Sequence, residues 1–133
     1  MLDKKTPEEI QILREGGKIL GSILRQIGDD VRVGNTGRQL TIKAEELIKK
    51  AGGTPAFKNY HGFPDALCVS VNEAVVHGIP NDEPFKEGDL VGIDLGMKYK
   101  GFYTDTAMTV PVGQISQEAQ QLLDVTKESL DIA

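Results

Sequence analysis

The chain has 133 residues, of which 39% are hydrophobic and 26% charged, as in one ordinary globular domain. This composition excludes disordered and collagen-like proteins, and no apolar run approaches the roughly 18 residues of a membrane span. The net charge of −5 argues against nucleic acid as a direct partner, because its phosphates require a basic face.

Cysteine content and the start of the chain bear on the cellular compartment. The single cysteine, Cys68, cannot form an internal disulfide, which suits the reducing cytoplasm. The segment from Met1 to Lys5 has no apolar stretch of the kind that secretory signals carry. We therefore expect a cytoplasmic protein without a membrane segment.

Two amphipathic helices are predicted in the first part of the chain. The run from Thr6 to Glu9 has the pattern of a capping box, and Gly28 ends the helix that follows. Thr36 to Gln39 repeats the pattern for a second helix, which ends at Gly52. Each helix carries apolar or small residues at helical spacing, which predicts one buried face. These positions are Ile10, Leu13, Gly17, Leu20, Leu24 and Ile27, and then Leu40, Ala44, Leu47, Ile48 and Ala51.

The rest of the chain reads as strands and one more helix. Residues 54–66 hold two prolines and three aromatic residues, which favours an ordered loop over a linker. Two apolar runs, 67–71 and 74–77, predict a first pair of strands, and 89–97 with 102–112 predict a hairpin around a four-residue loop. A third helix begins at Ser116, with one apolar side formed by Ala119, Leu122, Leu123 and Leu130.

Two aspartates of the predicted hairpin point to a cation. If the hairpin is symmetric about its loop, Met97 faces Phe102 and Asp94 lies directly opposite Asp105. Opposed carboxylates repel each other, and a divalent ion such as manganese, iron, cobalt or zinc relieves the repulsion. The alternative is a pair of aspartates on the solvent face. The pair alone cannot saturate an ion, so other ligands must come from elsewhere.

Two histidines and an aromatic loop are candidates for substrate contact. His77 follows an apolar run and can exchange a proton near neutral pH, or it can simply cap a strand end. His61 precedes a glycine that permits either close approach of a ligand or an ordinary turn. Four residues can line an apolar pocket or pack the loop onto the sheet: Phe57, Tyr60, Phe63 and Cys68. Cys68 has no basic sequence neighbour and reads as a small buried hydrophobe.

Together these segments closely resemble type I methionine aminopeptidases in residues, order and spacing. The resemblance runs over essentially the whole chain and covers about the first half of that family's catalytic domain. The matching stretches are Tyr60-His61-Gly62-Phe63-Pro64, Ser70-Val71-Asn72-Glu73, Val76-His77-Gly78-Ile79-Pro80, Gly88-Asp89-Leu90-Val91, Ile93-Asp94 and Thr104-Asp105-Thr106.

The resemblance implies an α+β fold that is half of the pita-bread fold of these enzymes. We expect two N-terminal helices, antiparallel β-hairpins and a C-terminal helix, with residues 1–133 forming a single truncated domain. In the family two such halves pack about a pseudo-twofold axis, with the metal ions between them.

The resemblance also implies roles for individual residues. Two divalent ions occupy the family's intact site. Asp94 matches a ligand of one ion, Asp105 matches the aspartate that bridges both, and His77 matches a histidine that contacts substrate and assists proton transfer. Four residues match the methionine side-chain pocket and its edge: Tyr60, Phe63, Cys68 and His61. Asn59 departs from the family, many members of which have glycine there. The family's other ligands, one histidine and two glutamates, belong to its second half and are missing from this sequence.

The expected function is therefore removal of the N-terminal initiator methionine from nascent proteins by metal-activated water. The isolated chain would be inactive or weak without a complementing C-terminal half. The alternative is a non-catalytic half-fold that forms a homodimer as a binding or assembly module. A prolidase-like relative is a third reading, which the stretches around His61 and His77 disfavour.

Overall fold

The computed structural model describes residues 4–133, so the prediction about a secretory signal lies partly outside the described residues. The two predicted N-terminal helices are confirmed as α1, Pro7–Gly28, and α2, Gly37–Lys50. Both begin with the predicted capping box. The hydroxyl of Thr6 accepts from the backbone N–H of Glu9 at 3.2 Å, and Thr36 caps α2 in the same way.

The buried faces of the helices follow the predicted spacing with two corrections. Ile10, which was predicted on the buried face of α1, is 38% exposed. Leu20, Ile27 and Ile48 are fully buried against the sheet. Gly17, which was predicted on this face, is exposed and a Cβ there would meet nothing within 4 Å. Its neighbour Gly16 is the residue that packs inward, against Thr104 of the sheet.

The sheet has four antiparallel strands built around one long central strand. These are β1, Thr54–Pro55, β2, Leu67–Val71, β3, Leu90–Tyr99, and β4, Phe102–Pro111. β3 pairs with β1 and β2 along one edge and with β4 along the other. A short 3₁₀ turn, Tyr60–Gly62, lies in the loop between β1 and β2.

The predicted strand at 74–77 is wrong. This segment is an irregular loop, and Val75 and Val76 are exposed. The reason is a contact made just beyond it. Gly78 lies so close to β2 that a Cβ there would be 2.0 Å from the carbonyl oxygen of Val69. Val69 donates a backbone hydrogen bond to Gly78 at 2.9 Å, which lays the end of the loop on β2 without forming a second hairpin.

The register of the β3–β4 hairpin also differs from the prediction. Its loop has two residues, Lys100 and Gly101, rather than four, and both adopt positive φ, 47° and 90°. These are the angles of the type I′ turn that matches the twist of a hairpin. Asp105 therefore opposes Gly96, and Asp94 opposes Ala107. The two aspartates are diagonal neighbours, but the slip of two residues keeps them on the same face.

The core lies on one side of the sheet only. α1 and α2 cover the face formed by alternate strand residues, and these apolar side chains join one buried cluster with the helices. The predicted third helix is confirmed as α3, Gln117–Ile132, with its N-cap at Ser116. Its predicted apolar side is covered only in part: no residue of α3 is buried within the described part of the chain, and Leu122 and Leu130 are exposed. The predicted α+β class is confirmed.

The helices of the described region also bear on the expected lack of a membrane segment. Among residues 4–133, no helix combines the length and apolar character that crossing a bilayer requires.

Candidate functional site

The face of the sheet opposite the helices carries the candidate chemistry. Side chains alternate along a strand, so the residues between the core positions of β2, β3 and β4 share this open face. Cys68 of β2 lies directly opposite Asp94 of β3, and Asp105 of β4 lies opposite Gly96. The pairing thus brings one thiol and two carboxylates to one part of the open face.

A pocket of about 580 Å³ opens above these residues. It brings together every residue that the sequence singled out as a ligand or a substrate contact. These are Tyr60, His61, Phe63, Cys68, His77, Asp94 and Asp105. Residues that are up to 45 positions apart in the sequence therefore surround one cavity. Their individual roles remain predictions.

Asp94 and Asp105 form the floor of the pocket, where burial and their mutual repulsion both disfavour the charged carboxylate of Asp94. Burial raises the pKa of Asp94 to about 6, and the negative charge of Asp105 adds to the rise, whereas His77 acts against it. One carboxylate oxygen of Asp94, Oδ1, is buried and has no hydrogen-bond partner among the described residues. A buried acceptor without a partner is costly and rare in a folded protein. The two acids are thus held together at a cost that a bound cation would remove.

The chemistry of these donors fits a divalent cation. Carboxylate oxygens are hard ligands, and Asp94 presents one that nothing in the described chain occupies. The coordination shell is nevertheless incomplete, because residues 4–133 contain no group of three or more His, Cys, Asp or Glu side chains arranged for a metal. Asp94 and Asp105 can therefore anchor a cation but cannot enclose it.

One wall of the pocket is the aromatic loop between β1 and β2. Ala56 donates a backbone hydrogen bond to Gly96 at 2.9 Å, which ties the loop to β3 two residues from Asp94. Phe57 lies over Gly96 so closely that a Cβ there would be 2.6 Å from its ring. The aromatic wall thus rests on a glycine in the middle of a strand.

The tip of the same loop is bent by left-handed backbone conformations. Asn59 has φ 68° and His61 has φ 47°. Asparagine tolerates this region better than most residues, so Asn59 can take its positive φ. The rings of Tyr60 and His61 meet edge to face, with centroids 4.4 Å apart. Tyr60 is 67% exposed, so the wall it forms is open on its outer side.

The facing wall is the loop that carries His77. His77 has φ 57°, and the Gly78 N–H that follows donates to the hydroxyl of Ser70 at 3.1 Å. This hydrogen bond and the contact of Gly78 with β2 fix the histidine beside the pocket. His77 lines the same pocket as Asp94 and Asp105, and its proximity lowers the pKa of Asp94.

Cys68 lies at the base of the pocket as a neutral thiol. Burial, and then the charges of Asp94 and Asp105, raise the pKa of Cys68 to about 11. A thiol with this pKa is almost entirely protonated at neutral pH and is a poor nucleophile. The prediction that Cys68 is a small buried hydrophobe is confirmed, since it is only 4% exposed.

Sequence reasoning missed part of the lining. Ile79 and Pro64 border the pocket, although they were noted only as parts of motifs. Gly96 was not singled out at all, yet it makes room for Phe57. A glycine inside a strand often marks the close approach of another group, and this signal could have found it.

Comparison with known proteins gives a consistent pattern. Residues 11–133 match the metallopeptidase family M24. The chain is 45% identical to methionine aminopeptidase 1 of Bacillus subtilis over 130 residues, which are 98% of the chain and 52% of that protein. It superimposes on the crystal structure of methionine aminopeptidase from Thermotoga maritima with a TM-score of 0.94 and 41% identity, covering 98% of this chain and 53% of that one.

A prolidase is also similar, but less so. The prolidase from Pyrococcus horikoshii gives a TM-score of 0.81 at 25% identity, over 93% of this chain and 34% of the prolidase. The chain spans about half the length of the curated relatives it matches. The greater similarity to the methionine aminopeptidases agrees with the sequence motifs.

Proposed function

Because the chain belongs to metallopeptidase family M24, we propose that its pocket is part of the active site of a methionine aminopeptidase. The proposed reaction is hydrolysis of the first peptide bond of a chain that begins with methionine, which yields free methionine and the shortened chain. The observation that carries this proposal is the acidic pair Asp94 and Asp105 on the floor of an apolar pocket beside His77. The similarity to methionine aminopeptidases, which the motifs led us to expect, is confirmed.

The apolar lining supports methionine as the residue bound in the pocket. Tyr60, Phe63 and Cys68 offer aromatic and sulfur surfaces, which suit a flexible thioether side chain. Because the Cys68 thiol stays protonated, it adds no charge to this surface. In the proposal these residues bind and orient methionine, and His61 borders the same wall.

The acidic pair and His77 supply the polar half of the proposed site. Asp94 and Asp105 would hold the divalent ions, Asp94 as a ligand of one ion and Asp105 as a ligand of both. A bound divalent cation supplies Lewis acidity, which makes water a nucleophile near neutral pH. His77 would contact the substrate and help to relay a proton of the attacking water to the nitrogen of the broken bond. The ions in question are cobalt, manganese, iron or zinc.

For the chain of 133 residues by itself, the proposal is weak metal binding and little or no peptidase activity. Divalent ions take roughly four to six ligands, and two carboxylates provide too few to complete such a shell. A complementing C-terminal half would provide the remainder. The proposed setting is the cytoplasm, where the lone thiol of Cys68 stays reduced.

The test is calorimetric titration of the purified chain with manganese or cobalt. The chain should bind the metal, and Asp94→Ala and Asp105→Ala should each abolish binding. Asp124→Ala, which removes an exposed aspartate on α3, is the matched control and should bind like the original chain. Equal metal affinity in all four proteins would contradict the proposal.

Peptide hydrolysis tests the activity separately. With added cobalt or manganese, a methionine-leading tripeptide should be cleaved slowly or not at all by the isolated chain. Turnover that disappears in Asp94→Ala would show that the chain is an enzyme by itself. Turnover that survives this substitution would come from a contaminant.

A second candidate function is assembly, which the exposed α3 favours. The helix presents four large apolar side chains that are each more than half exposed, namely Leu122, Val125, Leu130 and Ile132. In this proposal two copies associate as a homodimer, which brings two acidic pairs together. Sizing the chain with and without manganese is the test, and a monomer under both conditions would exclude the dimer.

A further inference from the structure

A single arginine joins the bases of both pocket walls. Arg38, in the first turn of α2, donates from Nη1 to the carboxylate of Asp65 at 2.9 Å and from Nη2 to the carbonyl oxygen of Pro80 at 2.9 Å. Asp65 stands two residues before β2, where the aromatic loop returns to the sheet, and Pro80 lies three residues after His77 in the same loop. The two arms of one guanidinium therefore hold two segments that are distant in sequence.

The attachment of Arg38 is itself well fixed. Its backbone N–H donates to the carbonyl of Asn81 at 2.8 Å, and a Cβ at Gly37 would lie 3.2 Å from Pro80. Thr41, one turn further along α2, accepts a hydrogen bond from the backbone of the residue after Asp65 at 3.2 Å. The start of α2 thus contacts both loops, and among residues 4–133 the Arg38 guanidinium is the side chain seen to hydrogen-bond to both of them.

We propose that Arg38 is a positioning residue that sets the distance between the aromatic wall and the His77 wall, an inference that rests on the proposed function of the pocket. Asp65 is 8% exposed, so its carboxylate depends on a partner for its charge. A planar guanidinium has fixed arms that bond two acceptors at once, and a lysine ammonium lacks this geometry. Arg38 touches neither substrate nor metal in this proposal and acts only through the loops it holds.

The chain offers a direct probe for each wall, because its only two histidines are His61 and His77. Proton–carbon NMR of the imidazole groups therefore gives one set of signals from each loop. In Arg38→Gln both sets should shift and broaden, since each loop loses its anchor. Circular dichroism on the same samples establishes that the fold is intact.

Lys43→Gln is the matched control on the same helix. Lys43 is 38% exposed against 41% for Arg38, and it too makes one ion pair, with Asp30, and one bond to a backbone carbonyl. None of these contacts reaches a pocket loop, so both histidines should keep their signals. Unchanged histidine signals in a folded Arg38→Gln would overturn the proposal, as would equal changes in the control.

One further variant separates the two arms of the guanidinium. Asp65→Ala removes only the contact with the aromatic loop and should move the His61 signals more than those of His77. Equal or reversed changes would overturn the assignment of one arm to each wall.

If Arg38→Gln fails to fold, Arg38→Lys takes its place. This variant keeps the charge and should shift the same signals by a smaller amount, and unchanged signals would again overturn the proposal.

Manganese titration of the same proteins keeps this inference distinct from the function it rests on. Arg38→Gln retains Asp94 and Asp105 and should bind manganese as the original chain does. Failure of the original chain to bind manganese would count against the proposed function, whereas the histidine signals test the role of Arg38 without metal. If the original chain bound manganese and Arg38→Gln did not, the proposal that Arg38 acts only through the two loops would be overturned.

Discussion

The same strands contribute to the hydrophobic core on one face of the sheet and to the candidate site on the other. On the helix side, six alternate residues of β2 and β3 are apolar and at most 6% exposed: Leu67, Val69, Val91, Ile93, Leu95 and Met97. On the open side, their immediate neighbours include Cys68 and Asp94. Asp94 has a carboxylate oxygen without a hydrogen-bond partner among the described residues, and its pKa is raised. Moving one residue along a strand therefore changes the side chain from part of the core to part of the pocket.

This difference shows that the helix side of the sheet stabilises the fold, whereas the open side destabilises it. The helix side gains from removing apolar area from water. The open side holds two acids together and leaves a buried acceptor without a partner, and both features oppose folding. Stabilising the first face should thus leave the pocket unchanged, and relieving the second should stabilise the fold while removing the proposed metal ligands.

The largest expected effect is on the helix side. Leu95→Ala removes a fully buried side chain and should lower the free energy of unfolding by about 2–5 kcal/mol in urea denaturation. Ile93→Val on the same face is the graded control and should cost about 0.5–1.5 kcal/mol. If Asp94→Ala, one residue away on the open face, proved as destabilising as Leu95→Ala, the contrast between the faces would fail.

The next effect concerns the contact between Gly78, at the end of the His77 segment, and β2. Gly78→Ala places a Cβ against the carbonyl of Val69 and should cost about 1–3 kcal/mol, because backbone rather than a flexible side chain must move. Val75→Ala in the same loop is the control, since Val75 is 89% exposed and its loss should change stability by less than about 0.5 kcal/mol. Thermal unfolding of both variants is the measurement, and equal midpoints would show that Gly78 is not tightly seated.

The third prediction depends on pH. The pKa of Asp94 in the fold, about 6, lies above its ordinary 3.8, so the charged form is disfavoured in the folded state. The resulting loss of stability is complete above pH 6 and disappears as the pH falls towards 3.8. With metal removed by a chelator, Asp94→Asn should therefore raise the melting temperature at pH 7, and the gain should shrink in acid.

Melting curves from pH 4 to pH 8 measure this effect. Asp124→Asn, an exposed aspartate of α3, is the control and should show no such trend. A gain for Asp94→Asn that is largest at pH 4 would contradict the burial and charge repulsion assigned to the pair.

The smallest effect distinguishes two adjacent glycines of α1. Gly17→Ala meets nothing within 4 Å and should stabilise the chain by about 0.5–1 kcal/mol, because alanine loses less backbone entropy in a helix. Gly16→Ala brings its methyl group 3.4 Å from Thr104 in a buried position, so its gain should be smaller. Chemical denaturation of both variants decides whether α1 presents Gly16 and not Gly17 to the sheet.

Local signals explain what the sequence predicted well. The capping boxes at Thr6 and Thr36 involve residues three positions apart, so the sequence shows both partners side by side. The strand at 67–71 was predicted with its observed bounds, Leu67–Val71. The residues around the pocket were found through motifs, since their convergence depends on contacts across the whole sheet.

The errors share a cause, which is the geometry of distant contacts. The hairpin loop from Lys98 to Gly101 was read as four residues, yet Tyr99 pairs with Phe102 and Lys100 takes the left-handed conformation. Tyr99 and Lys100 also donate to Glu15 of α1, each at 2.8 Å, which ties the turn to a helix that is remote in sequence. The loop at 74–77 has a strand-like composition, but its path is set by the approach of Gly78 to β2.

The two-residue turn at Lys100 and Gly101 makes the proposed metal ligands sensitive to odd and even changes in length. If a single residue were added between the turn and Asp105, with the turn itself kept, the carboxylate would move to the position that Thr106 now occupies, opposite Leu95 on the face that the helices cover. Adding two residues would return it to the pocket side, one step along the strand. Insertions on this arm of the hairpin are thus compatible with a carboxylate in the pocket only in pairs, or where a bulge absorbs the extra residue.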